Sequence, residues 1–124
     1  MNIEDFCTYE QALALTELGF HKDCDYKWCI QLNDNPIPNY LLAHPNEELQ
    51  APTLYEAQKW LRKNRFIWLL SERVRQKELQ GKFYYSITDK DLNETVPERF
   101  KLFNSYEEAL SAGINECINI LKNG

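Results

Sequence analysis

Ser105-Tyr106-Glu107-Glu108-Ala109-Leu110-Ser111-Ala112-Gly113-Ile114-Asn115-Glu116-Cys117-Ile118-Asn119-Ile120-Leu121-Lys122 is the clearest periodic segment of the chain. At helical spacing Tyr106, Ala109, Leu110, Gly113, Ile114, Cys117, Ile120 and Leu121 share one side. Glu107, Glu108, Ser111, Asn115, Asn119 and Lys122 share the other. A broad apolar stripe opposite a polar face is the pattern of a helix lying on a core. Ser105 supplies a hydroxyl for the first free amides, and Glu108, three residues on, completes a capping box.

The same local chemistry recurs upstream. Thr8 with Gln11 opens a helix carrying Ala12, Leu13, Leu15 and Leu18, which Gly19 and Phe20 close. Thr53 with Glu56 opens another, with Leu54, Ala57, Trp60, Leu61 and Asn64 on one side. Pro52 discourages an earlier start.

Between the helices lie β-type segments. From Cys24 to Leu32 apolar residues fall mostly on even positions, the period of a strand with one wet face. Phe66-Ile67-Trp68-Leu69-Leu70 has no alternation and predicts a strand covered on both faces. Phe83 to Thr88 is aromatic and β-branched. It forms a hairpin with the preceding strand through Gln76 to Gly81, and Phe100 to Phe103 adds a fourth extended piece. Tyr26, Trp28, Phe83 and Tyr85 are expected on one sheet face, with Tyr84 turned away. The fold class is α+β, in the order α-β-α-β-β-α. Three amphipathic helices pack on a small, mainly antiparallel sheet of three to four strands. Residues 1–124 are expected to form a single domain. Residues 33–52, which hold Pro36, Pro38, Pro45 and Pro52, form an irregular loop within it.

Composition bounds the class. Of the 124 residues 44% are hydrophobic and 27% charged, ordinary proportions for a globular domain. No apolar run reaches the roughly 18 residues a membrane span needs. The acidic start, Met1-Asn2-Ile3-Glu4-Asp5, lacks the apolar core of a secretory signal. The expected location is the cytoplasm, where Cys7, Cys24, Cys29 and Cys117 are thiols.

The capped helices together resemble a family of small uncharacterised proteins of gut anaerobic bacteria and their phages. The residues that carry the resemblance are Tyr9-Glu10, Ala12-Leu13, Leu15 and Gly19-Phe20; Ala51-Pro52-Thr53, Ala57 and Trp60-Leu61-Arg62; and Ser105 to Leu110 with Ala112-Gly113-Ile114. It covers about a third of the chain. It implies a fold and a mobile-element context, and no established activity.

Catalytic patterns are weak. His21, Cys24 and Cys29, with His44 or Cys7, are the nearest approach to a metal set. The spacing of five from Cys24 to Cys29 along a strand sends the two thiols to opposite faces. Neither histidine stands in a nucleophile context, and Gly-rich phosphate loops and metalloprotease motifs are missing from the sequence. The expectation is a non-enzyme without cofactor or metal.

The strongest functional signal is charge partition. Residues 59–82 contain eight basic side chains against Glu72 and Glu78, a net +6, so the remainder of this −5 chain carries −11. Lys59, Arg62, Lys63, Arg65, Arg73 and Arg75 are the candidate partner- or anion-binding residues. Two readings follow. One is a non-catalytic module binding a protein partner or a second copy. The alternative is a nucleic-acid-associated accessory protein, its cations on phosphates and Trp60 or Trp68 on bases. Burial of both tryptophans in the core would weaken the second. Acidic flanks favour the protein partner, because they repel an extended polyanion.

Overall fold

A computed structural model describes residues 3–30, 36–39, 49–95 and 101–123. Helices α1 (Tyr9–Glu17), α2 (Leu54–Asn64) and α3 (Tyr106–Asn123) begin where their caps predict. Thr8 and Thr53 accept the amides of Gln11 and Glu56, whose side chains return to the cap amides at 2.8 and 3.0 Å. The third box is only half formed. Ser105 Oγ accepts the Glu108 amide at 3.1 Å, but the Glu108 carboxylate accepts from Asn104, one residue before the cap. Gly19, at φ +110, ends α1 and lets the Phe20 amide donate back to Leu15 at 2.9 Å. That turn drives Phe20 into the core.

The architecture is α+β, with a three-stranded antiparallel sheet in the order β3 (Trp68–Arg73), β4 (Phe83–Thr88), β5 (Glu94–Thr95). The first predicted strand is not in that sheet. β1 (Lys27–Ile30) pairs instead with β2 (Pro36–Asn39), inside the segment expected as an irregular loop. Pro36 and Pro38 are two residues apart, so both missing donors fall on one side of the strand, and an edge strand tolerates that. Most of the remaining 33–52 segment, His44 included, lies outside the described residues. The β3–β4 hairpin turns through residues 76–81 as expected, with Gly81 at φ +87. The fourth extended piece reduces to a bridge between Phe83 and Phe103, at 2.9 and 2.8 Å; residues 96–100 lie outside the description.

One expectation about β3 is corrected. The strand is covered on one face only: Leu69 and Ser71 are buried, while Trp68, Leu70 and Glu72 are exposed. The helices explain this. Leu110, Ile114, Cys117 and Ile118 of α3 share a core with Leu69 of β3 and with Tyr85 and Ile87 of β4, joined by Leu15, Phe20 and Leu61. No described element lies on the other face. An unbroken apolar run therefore concealed a one-sided strand. Leu121, expected in the core, is half-buried, and Tyr106 is exposed.

A second cluster gathers Phe6, Ala12, Trp28 and Ala51, with Tyr9 and Tyr26 against it. Tyr26 and Trp28 thus do not share a sheet face with Phe83 and Tyr85. Gln11 connects α1 to α3. Only 2% of it is exposed, and its Nε2 donates to Ser111 O (2.9 Å), Ser111 Oγ (3.1 Å) and Asn115 Oδ1 (2.9 Å). Among the described residues no helix is long and apolar enough to cross a membrane.

Candidate functional site

The outer face of the β3–β4–β5 sheet follows from strand alternation. Because Leu69 and Ser71 point inward, Trp68, Leu70 and Glu72 project outward, opposite Thr88, Ser86 and Tyr84 of β4. Trp68 is 42% exposed and Leu70 49%. Two large apolar side chains on alternate residues of an open strand form a continuous band. At its end the Tyr84 hydroxyl donates to Glu72 Oε2 at 2.7 Å, and that bond raises the phenol's pKa.

Phe66, two residues before Trp68, is 55% exposed and sits at φ +57. A bulky residue in the left-handed region is strained by about 1–2 kcal/mol. The strain falls at the exit of α2, where the chain turns into β3.

The basic residues do not form one patch. Lys59 and Lys63, a turn apart on α2, line a cleft of about 430 Å³ with His21, Lys22, Glu56, Trp60 and Asn64. Lys22 Nζ bonds Glu56 Oε2 at 2.9 Å, and that hydrogen bond raises the lysine's pKa. Burial works to raise the Glu56 pKa, but the Thr53 amide and Lys22 outweigh it and hold the carboxyl low. Arg62 is half-buried on α2. Arg65 Nη1 donates to the Leu18 carbonyl at 3.0 Å, which ties the end of α1 to the end of α2. Arg73 and Arg75 are exposed at the far end of β3. His21 and Lys22 were not legible as companions of Lys59 and Lys63, because a non-local packing contact brings them together.

Trp60 meets Phe20 edge-on, ring centroids 5.6 Å apart, and is half-buried. Trp68, expected in the core, is exposed. Three of the four thiols, Cys7, Cys24 and Cys117, are buried. Burial pushes Cys24 and Cys117 up to about 12 and raises Cys7 further. Among the described residues no group of three His, Cys, Asp or Glu side chains is placed to hold a metal ion.

Comparison with protein-family models, with curated proteins and with solved structures finds no match to this chain.

Proposed function

We propose that the protein is a non-catalytic interaction module that docks a protein partner on the outer face of its three-stranded sheet. The observation that carries this reading is the exposed Trp68–Leu70 band. Tryptophan is the residue type most enriched among binding hot spots, and a rigid strand presents it at little entropic cost. Arg73 and Arg75 beside the band favour a partner whose apolar patch is bordered by carboxylates. A cytoplasmic setting, and the mobile-element context that the helix caps suggest, belong to the same proposal.

The runner-up is a nucleic-acid accessory role through residues 59–82, and exposure of Trp68 is the observation in its favour. Two features weigh against it: the split between the α2 and hairpin cations, and the use of Arg65 as a structural tie. Salt-dependent retention of a mixed oligonucleotide library separates the readings. The module reading expects no retention at low salt. Nucleic-acid binding would show as retention falling linearly on log–log axes as salt rises, with a slope reduced by Arg73→Ala and Arg75→Ala.

A further inference from the structure

A second cavity lies away from the sheet face, between the start of α1 and the start of α3. Its volume is about 640 Å³, within the range of ligand sites. Phe6, Tyr9, Trp28 and Phe103 contribute its aromatic lining. The Tyr9 and Trp28 rings stand 5.7 Å apart at 84°, so they form two perpendicular walls of one corner. Trp28 is too buried to offer a ring face, so the half-buried Tyr9 ring is the face that can meet a cation.

Glu4, Glu10 and Glu107 also line the cavity. None of the three has a hydrogen bond or ion pair among the described residues. The helix N-termini account for placing Glu10 and Glu107 in first turns. They do not account for three uncommitted carboxylates lining one cleft with Tyr9 and Trp28. Anions are repelled there and cations attracted.

A separate observation concerns Trp28 itself. It is 5% exposed, and its indole Nε1 is the buried side-chain nitrogen or oxygen left without a partner among the described residues. An unmet buried donor costs about 1–3 kcal/mol and calls for an explanation. A carbonyl entering the cleft would satisfy it after a small displacement of the indole.

We infer that this cleft binds a basic peptide segment. A lysine or arginine side chain lies against the Tyr9 ring among Glu4, Glu10 and Glu107, and a backbone carbonyl accepts from the Trp28 indole. The site is independent of the sheet face. A protein partner could engage both, but neither requires the other.

The test is a nitrogen–proton NMR titration of the full chain with the tripeptides Gly-Lys-Gly, Gly-Arg-Gly and Gly-Gln-Gly. The chain has three tryptophans, so the Trp28 indole cross-peak can be assigned by one substitution. Saturable shifts at Tyr9 and the Trp28 indole are expected with the lysine and arginine peptides. Glu10→Gln and Glu107→Gln, which leave both caps intact, should each weaken binding by up to about fivefold, the range of exposed ion pairs. Equal shifts with Gly-Gln-Gly, unchanged binding by both variants, or no saturable shift would overturn the assignment. Spermidine binding as tightly as the lysine peptide, with the indole unmoved, would overturn the peptide carbonyl's part.

Discussion

Gln11→Glu should destabilise the protein although the capping rule treats the two residues as equivalents. The substitution keeps the oxygen that accepts the Thr8 amide at 2.8 Å. It replaces the amide nitrogen by a second oxygen, facing Ser111 O, Ser111 Oγ and Asn115 Oδ1 at 2.9–3.1 Å. Donor bonds are lost, and a carboxylate is buried against the Ser111 carbonyl. The expected cost at neutral pH is about 3 kcal/mol, two lost bonds plus desolvation of a charge. With a urea m-value near 2 kcal/mol/M, the midpoint should fall by about 1.5 M. The sign with pH follows from linkage. Burial raises the new carboxyl's folded pKa above its unfolded value of about 4.3. The penalty is therefore fully present above the folded pKa and shrinks as pH falls toward about 4.3. Glu56→Gln at the matching position of α2 is the control. It keeps the bond to Thr53 and loses only the surface pair with Lys22, under about 1 kcal/mol. Urea unfolding at pH 7.5 and pH 5 reads all of this. An unchanged Gln11→Glu midpoint at pH 7.5, or a loss equal at both pH values, would refute the reasoning.

Gly113→Ala should lower stability by about 1 kcal/mol, read as a lower urea midpoint, because its methyl would overlap Leu69 Cδ1 and lie 3.2 Å from Tyr85 Cβ. Overpacking there outweighs the helix-propensity gain of about 1 kcal/mol; a raised midpoint would contradict this. Phe66→Gly should hold or raise stability by about 0.5–1 kcal/mol by relieving a positive φ at little burial cost, whereas Ile114→Ala, fully buried, should lose about 2–5. A destabilised Phe66→Gly would show that its ring packs. Cys7, Cys24 and Cys117 should resist iodoacetamide at pH 8 until urea unfolds the chain, as mass spectrometry of labelled peptides would show. Since their folded pKa values are raised, the stability they contribute is complete below about pH 8.5 and declines as pH rises toward about 12.

The helices were legible because their signals are local. Thr8, Thr53 and Ser105 each announce a start within four residues, and Gly19 an end. Strand β4 was readable to the residue, since Phe83 to Thr88 is bounded by Lys82 and Asp89. What escaped depends on partners distant in sequence. Trp68 and Leu70 look like core in a run of five apolar residues, and only the one-sided cover of α3 turns them outward. The prolines of β2 concealed a strand because propensity ignores an edge position. Arg65 read as a free cation until Leu18, 47 residues away, supplied its acceptor. Of the cleft, Glu107 and Glu108 were visible as capping residues. The Tyr9–Trp28 corner was not, because an α1–β1 contact creates it.

The outer sheet face is proposed to dock a protein. A photo-crosslinking amino acid placed at Leu70, with the still more exposed Tyr55 on α2 as the control site, tests it directly in the native host. Irradiation should yield a discrete protein adduct at position 70, lost on Trp68→Ser, and none at position 55. Adducts to nucleic acid at position 70, or the same adducts at both positions, would contradict the account.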